Sequence, residues 1–298
     1  MIAAIAVFCA SAFAASSNVS GYERLKEAGF NFIEQVYKNY GEYSNGAYWI
    51  DVAFYMNDAD LFRANQVLIK DGERTFAQST EKFAINAWNG IFDFGYAADS
   101  SNLIYSDNDV YYCWYGDGEF KSYPFSLGSR HIYWKNEDED VLPPAQKRFV
   151  SAVIDALVGE TRNYFTLDGN VIRIALSGNQ IPELAQFAIA AVMERAGSEI
   201  RLANGLSLGQ DARFSSGMLE VELNDEGLSV GAKMTVEVEC TVNGSPQTYK
   251  CEMSARSKDI GSVSLQRPNE NYNGRPILPS PDDESPVAVT YEYAETFI

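Results

Sequence analysis

The sequence has a single histidine, and this scarcity limits the chemistry that the chain can perform. A Ser-His-Asp triad would have to use His131, which lies in the stretch SLGSRHIYWK. A histidine-based metal site would lack further histidines, and the sequence contains no Cys-x-x-Cys pair. We therefore interpret His131 as a histidine that is hydrogen-bonded near a strand or a loop.

Carboxylates are plentiful, with 41 Asp and Glu residues, but no local pattern isolates a catalytic pair. The stretches SDNDVYY (106–112) and NEDED (136–140) offer oxygen ligands for Ca²⁺. Neither has the EF-hand spacing with its glycine and terminal glutamate, so we interpret both as solvated turns. The sequence thus predicts a protein that is not an enzyme and that holds neither a metal nor a cofactor.

An aromatic cluster occupies residues 111–115. Neighbouring residues on a strand point to opposite faces, which places Tyr112 and Trp114 on one face and Tyr111, Cys113 and Tyr115 on the other. One of these sets must pack in the core. The other set is either buried as well, or exposed as a platform for sugars or peptides.

Composition and charge exclude some partners. The chain has 298 residues, 46% of them hydrophobic, which predicts a globular protein with one large core or two modest ones. Its formal charge of −18 repels phosphate backbones and anionic lipid headgroups. We therefore expect no nucleic-acid partner, whereas a protein partner at the cell surface is compatible with this charge.

The first residues, MIAAIAVFCASAFAASSN, are typical of a secretory signal. The apolar run 2–10 is too short to span a bilayer, and Ala12–Phe13–Ala14 is a small-x-small cleavage site. Cys9 follows the bulky Phe8, which matches a lipoprotein-anchoring site poorly. We predict a signal peptide over residues 1–14, an extracytoplasmic protein that is secreted or associated with the cell envelope, and no transmembrane span.

Two of the remaining cysteines, Cys240 and Cys251, flank a predicted hairpin turn. If residues 244–247 form a four-residue loop, the two cysteines face each other directly. They can then form a cross-strand disulfide, or they can pack as two buried thiols.

Hydrophobic periodicity predicts the elements that would position these side chains. Ser20 and Glu23 form a capping box for a helix that ends near Gly41, and two later helices are predicted over residues 143–159 and 182–196. Short turns join the alternating strands between the helices, so the strands should be antiparallel. We predict one domain over residues 15–267 and a partly flexible, proline-rich tail over 268–298, whose last twelve residues are either a strand or disordered.

The order of these elements, together with two stretches in the middle of the chain, resembles a known family. The stretches are NYFTLDGNVIRIALSGNQIPELAQFAIAAV and MLEVELNDEGLSVGAKMTVEVE, and the order is helix, antiparallel meander, central helices, antiparallel meander. It resembles the LolA/LppX-like family of exported lipoprotein and lipid carriers. The resemblance implies an α+β fold that is mainly antiparallel β, in which an open, curved sheet (a half-barrel) has helices packed in or across its concave face.

These observations predict an exported binding protein that performs no covalent chemistry. It would hold an apolar ligand, such as a lipid, a lipoprotein acyl chain or a peptide, in the concavity of the sheet. The cavity-lining residues would be Phe54, Trp114, Leu184, Phe187 and Val192. Two alternatives are a cell-surface domain that binds carbohydrate or protein through exposed Tyr and Trp, and a hydrolase that uses carboxylates.

Overall fold

A computed structural model describes residues 21–38, 44–88, 91–97, 102–107, 110–114, 120–124, 144–183, 186–187, 212–242, 244–268 and 276–291. Two α-helices lie in these ranges, α1 (Gly21–Lys38) and α2 (Pro144–Val158). The strands of the first half are β1 (Asn45–Met56), β2 (Ala59–Asp71), β3 (Arg74–Trp88), β4 (Ile91–Ala97), β5 (Asn102–Ser106), β6 (Val110–Trp114) and β7 (Phe120–Pro124). Those of the second half are β8 (Thr166–Asp168), β9 (Val171–Ser177), β10 (Arg213–Leu223), β11 (Ser229–Val242), β12 (Ser245–Lys258), β13 (Pro276–Ile277) and β14 (Thr290–Tyr291).

One open, curved sheet unites the two halves of the chain. Its order is β7-β6-β5-β3-β2-β1-β12-β11-β10-β9-β8, and β4 pairs with the far end of β3. All the described pairs are antiparallel, as the short turns predict, and the long-range pair β1–β12 runs from Ala47 opposite Lys258 to Met56 opposite Tyr249. In the described part of the chain, β7 and β8 end the sheet without pairing to each other. The predicted class, α+β with an open, mainly antiparallel sheet, is confirmed.

The two faces of the sheet are covered by different parts of the chain. Residues that pair directly across strands share a face, so Val221, Ala232, Ala255 and Ile50 lie on the same side. We call this side the helix face, because Leu25 and Ala28 of α1 pack there against strand side chains, among them Val221. The opposite side, which carries the odd-numbered residues 47–53 of β1, is called the open face.

Helix α2 packs on α1 through Ile154, which joins Tyr22 and Phe30 in a buried cluster. The helix predicted over 143–159 is thus confirmed as an element. The structure also shows that side chains of α1 contact the strands. At the junction of the two helices, the Asp155 carboxylate accepts hydrogen bonds from the Tyr22 hydroxyl at 2.5 Å and from the Lys26 ammonium at 2.8 Å. These two bonds fasten α2 to the helix that packs on the sheet.

Replacing Asp155 with Asn should destabilise this junction in a pH-dependent way. Burial acts to raise the pKa of Asp155, but the hydrogen bonds from Lys26 and Tyr22 outweigh it, so the pKa lies below the usual value. The charge therefore stabilises the folded state at neutral pH, and this contribution is lost as the pH falls through the lowered pKa. We expect Asp155→Asn to cost about 1 kcal/mol at pH 7, since the carboxylate is partly exposed.

Urea unfolding of both proteins across pH measures this difference, which should shrink below about pH 4. Glu23→Gln is the matched control, because Glu23 contacts the same ammonium at 3.2 Å within one helix. Its effect should be smaller, about 0.3–0.5 kcal/mol. A constant difference from pH 7 to pH 3 would contradict the role given to the Asp155 charge.

The predicted start of the helix at Gln180–Glu183 is confirmed at its first turn. A short 3₁₀ helix, Gly178–Gln180, is capped by Ser177, whose backbone N–H donates to the Gln180 side chain at 2.8 Å. The Gln186 N–H then donates to the Pro182 carbonyl at 3.0 Å, which is the first α-helical bond. Most of the predicted helix, 188–196, lies outside the described residues.

The chain after β12 packs along the open face. The side chain of Asn45 bonds both the N–H and the carbonyl of Val263, and the Asp71 carboxylate accepts the N–H of Leu265 at 2.9 Å. Residues 276–291, here called the strap, follow. The Trp49 indole donates to the Pro279 carbonyl at 3.2 Å, and the Arg256 guanidinium meets the Asp282 carboxylate at 2.5 Å. The strap is the described part of the predicted proline-rich tail, and the flexibility of the remainder stays a prediction.

Asp107 corrects one sequence interpretation. It belongs to the stretch SDNDVYY, which was interpreted as a solvated turn, yet it is buried. Its carboxylate accepts hydrogen bonds from the Tyr105 hydroxyl at 2.8 Å, from the Arg267 guanidinium at 2.7 Å and from the Val110 N–H at 3.0 Å. The interpretation failed because the partner that buries the charge is 160 residues away along the chain.

The predicted opposition of Cys240 and Cys251 is wrong. The hairpin closes with Val242 opposite Ser245, so its loop has two residues rather than four. This register places Cys240 opposite Gln247 and Cys251 opposite Val236, which offsets the cysteines by four residues, about 13 Å along the strands. A disulfide cannot bridge that distance, and both residues are buried thiols outside any disulfide. Burial raises the pKa of the Cys251 thiol to about 12.

Candidate functional site

The structure does not bring Phe54 and Trp114 into one cavity. Phe54 is 3% exposed and packs on the helix face with Phe62 and Cys251. Trp114 is 1% exposed and packs on the open face, in the cluster of Trp49 and Phe76 beneath the strap. The prediction that both line one concavity is therefore wrong. Both faces of the sheet are buried, each over a different stretch of the strands, and alternation alone cannot reveal this.

The helix residues of the predicted cavity are also not assembled in the described structure. Phe187 is 64% exposed. Leu184 and Val192 lie outside the described residues.

The aromatic cluster of β6 is a core element rather than a platform. Tyr112, Cys113 and Trp114 are all buried, so both sides of this strand are covered. Tyr112 and Trp114 pack ring to ring with centroids 6.1 Å apart. The side chain of Tyr111 and the whole of Tyr115 lie outside the described residues.

A different site lies on the open face, next to the region that the strap covers. It is a cavity of about 500 Å³ that crosses strands β10, β11, β12, β1, β2 and β3. A second cavity of about 290 Å³ adjoins it, and the two share Lys233 and Ser254. We call the two together the trough. Its principal open-face side chains are Asp51, Ala53, Tyr55, Arg63, Asn65, Thr80, Met218, Lys233, Thr235, Glu252 and Ser254.

Strand register builds the floor of the trough in rows. The first row follows direct pairs from Lys233 through Ser254, Asp51 and Asn65 to Thr80. Within this row, the Asp51 carboxylate accepts hydrogen bonds from the Asn65 amide at 2.5 Å and from the Ser254 hydroxyl at 3.4 Å. The row therefore presents a carboxylate, an amide and hydroxyls side by side on a rigid sheet.

The neighbouring part of the trough centres on Glu252 and the Tyr55 ring. The Glu252 carboxylate accepts the Tyr55 hydroxyl at 3.0 Å and contacts the Lys250 ammonium at 3.0 Å. The hydrogen bond from Lys250 outweighs the small effect of burial, so the pKa of Glu252 lies below its usual value. Lys250 also lies 4.5 Å from the Tyr55 ring centroid, which holds the ring in place.

This arrangement suits binding better than acid–base chemistry. Asp51 and Glu252 are diagonal neighbours on adjacent strands, with backbones about 7–8 Å apart. A glycosidase pair needs one carboxyl whose pKa is raised, so that it can protonate the leaving group. The pKa of Glu252 is shifted in the other direction, and its oxygens are occupied by Tyr55 and Lys250.

Sequence reasoning missed the trough because its residues resemble an ordinary solvated strand face. The odd positions of β1 include Asp51, Ala53 and Tyr55, a mixed set that alternation assigns to solvent. The neighbouring strands also carry polar residues, Asn65 and Ser254, on this face. Only the register shows that these residues lie opposite Asp51.

A motif was also missed. The stretch 205–209, GLSLG, has the Gly-x-Ser-x-Gly spacing of a nucleophile elbow. It lies outside the described residues, as does His131, the histidine that a triad would need. The structure therefore describes neither the strand-turn-helix geometry of an elbow nor a hydrogen bond to His131. We draw no function from this motif.

None of the described helices combines the length and the apolar character needed to cross a bilayer. No protein-family model matches the sequence, and no curated protein matches it. Among solved structures, a porin-like protein from Bacteroides uniformis is 10% identical, covers 71% of this chain and 96% of its own, and superposes with a TM-score of 0.17. A bifunctional dehydratase-cyclase domain in ambruticin biosynthesis is 13% identical, covers 77% and 81%, and has a TM-score of 0.14. Scores this low do not define a shared fold, so no property is transferred from either protein.

Proposed function

We propose that the protein is a binding module that holds a saccharide in the trough of the open face and performs no covalent chemistry. The row of Ser254, Asp51 and Asn65 carries this proposal, because it displays hydrogen-bonding groups on a preformed sheet surface. Sugar hydroxyls both donate and accept hydrogen bonds. A carboxylate, an amide and a hydroxyl in one row can satisfy them.

The rest of the trough supplies the apolar contacts that a sugar ring needs. The Tyr55 ring is fixed by its hydrogen bond to Glu252 and by two cations, Lys250 at 4.5 Å and Arg63 at 5.8 Å from the ring centroid. Tyr and Met side chains offer broad, weakly hydrated surfaces to the C–H faces of a pyranose. Met218, which is 50% exposed, lines the wall at β10. Polar groups beside such surfaces are the usual composition of a small-ligand site.

The trough is also long enough for more than one ring. Its two parts together cross from β10 to β3, and strands in a sheet lie about 4.8 Å apart. A ligand that crosses these six strands spans five intervals and is therefore about 24 Å long. This length favours an oligosaccharide over a monosaccharide.

Screening on a glycan array, followed by calorimetry with the best ligand, tests the proposal. Ala53→Trp places a large ring beside Glu252 in the trough and should weaken saccharide binding at least tenfold, while Ala152→Trp on the exposed side of α2 should leave it unchanged. Asn65→Ala, a change at an exposed side chain, should weaken binding without filling the site. Thermal unfolding of each variant verifies the fold. The proposal is overturned if no glycan binds, or if both trough variants bind as the unmodified protein does.

An apolar ligand is the second candidate, and the half-exposed Met218 favours it. An acyl chain would lie along Met218 and the Tyr55 ring, with its polar end at the Asp51 row. Native mass spectrometry of protein purified from its own host, followed by organic extraction, separates the two candidates. A co-purified lipid that Ala53→Trp loses would replace the saccharide as the ligand. Export to the cell surface or envelope, and the LolA/LppX resemblance, stay predictions.

A further inference from the structure

We infer that the ligand of the trough is an acidic sugar and that Lys233 binds its carboxylate. This inference rests on the proposed saccharide-binding function. Lys233 lines both parts of the trough and therefore stands where they meet. Its side chain is exposed and lies at the end of the row that continues through Ser254 and Asp51.

Among the side chains that the structure describes, the other cations in and around the trough are already neutralised. Each of them contacts a carboxylate of the protein at 3.0 Å or less. The pairs are Arg63 with Asp60 at 2.9 Å, Lys250 with Glu252 at 3.0 Å, Arg256 with Asp282 at 2.5 Å and Arg173 with Glu220 at 2.7 Å. Among the described residues, Lys233 makes no such pair.

The carboxylate that could have neutralised Lys233 is turned to another partner. Glu220 lies directly opposite Lys233 in the β10–β11 pair. Its Oε2 atom accepts a hydrogen bond from the Arg173 Nε at 2.7 Å, on the far side of β10 from Lys233. A protein with a formal charge of −18 thus leaves an ammonium without a carboxylate where the two parts of the trough meet.

The neighbours of Lys233 complete a small anion site. The Ser254 hydroxyl faces Lys233 across the strand pair, and the Thr235 hydroxyl follows two residues along β11 on the same face. The Ser254 hydroxyl donates its one proton to Asp51, so the Lys233 ammonium and the Thr235 hydroxyl are the donors that would reach the two oxygens of a ligand carboxylate. Asp51 and Asn65, which follow Ser254 in the row, would then bind the neutral hydroxyls of the same oligosaccharide. The chemistry indicates a hexuronate-containing oligosaccharide.

Calorimetry with oligogalacturonate and with its methyl ester tests this inference, because the two ligands share a sugar skeleton and differ in whether each carboxyl group is ionised or esterified. The acid should bind at least tenfold more tightly than the ester, and this preference should decrease with added salt. Lys233→Met should abolish the preference, and Lys233→Arg should retain most of it. Arg148→Gln on α2 is the matched control: it changes the net charge equally at a distant exposed site and should leave the preference intact.

The outcomes separate this inference from the proposal on which it rests. Equal binding of acid and ester, lost in Ala53→Trp but not in Lys233→Met, overturns the anion site and leaves the saccharide trough standing. Binding of neutral or sulfated glycans alone, with no uronate bound, overturns the assignment of a carboxylate. Absence of any trough-dependent glycan binding overturns both. An acid preference that disappears in Arg148→Gln as well would show a general charge effect and would also overturn the role of Lys233.

Discussion

Asp107→Ala should lower the free energy of unfolding by about 2–4 kcal/mol, measured by urea denaturation at pH 7. The carboxylate is buried and holds three partners from different parts of the chain: Tyr105 of β5, Val110 of β6 and Arg267 after β12. Its removal leaves the fully buried Tyr105 hydroxyl without this acceptor and Arg267 without its carboxylate. An unsatisfied buried donor costs more than the net value of the bond that it lost.

Asp60→Ala is the control for this prediction. Asp60 also pairs with an arginine, Arg63, through two hydrogen bonds at 2.9 and 3.1 Å. That pair is exposed, so its loss should cost less than about 1 kcal/mol. If Asp60→Ala and Asp107→Ala lowered the free energy of unfolding equally, burial of the Asp107 carboxylate would not be the source of its stabilising effect.

The sequence predicted those parts of the fold that depend on local spacing. The helix that begins at Gly21, the turns at Asp71 and Asp168, and the helix that begins at Pro144 all depend on residues a few positions apart. The antiparallel arrangement followed from the shortness of those turns. These features need no knowledge of what lies across the molecule.

Long-range features could not be predicted in the same way. The pairing of β1 with β12 joins residues about two hundred positions apart, and it determines that Asp51 faces Ser254. The trough exists only because of that register. The cysteine prediction failed for a related reason: the hairpin loop is centred two residues earlier than assumed, which displaced Cys240 from Cys251 by four positions.

The strap produced the largest difference between the expected and the observed burial. Trp49 and Trp114 lie on the open face, and without residues 276–291 over them they would be expected to line an accessible concavity. Composition marks the strap as loop-like, with many prolines and acids, so its docking on the sheet is not visible in the sequence. Its side chains Val287, Leu278 and Val289 nonetheless pack on the aromatic cluster. The trough begins where this cover ends, at Arg256, which pairs with Asp282 of the strap.

Trp49→Ala should therefore destabilise the protein by about 3–5 kcal/mol and should loosen the strap selectively. Trp49 is 2% exposed, packs among the aromatic residues of the open face, and donates its indole N–H to Pro279 of the strap at 3.2 Å. Hydrogen exchange of residues 276–291 should accelerate in this variant well before global unfolding. Trp49→Phe keeps a ring but loses the hydrogen bond, so it should cost less while still weakening the protection of the strap.

Phe54→Ala provides the comparison that separates a loosened strap from a generally weakened protein. Phe54 is as deeply buried as Trp49 but packs on the helix face, in the cluster with Phe62 and Cys251. Its truncation should cost a similar free energy, about 3–5 kcal/mol, while the exchange of the strap relative to the rest of the sheet stays unchanged. Equal acceleration in both variants would mean that the two faces unfold as one unit. Selective acceleration in Trp49→Ala would show that contacts with the open face hold the strap in place.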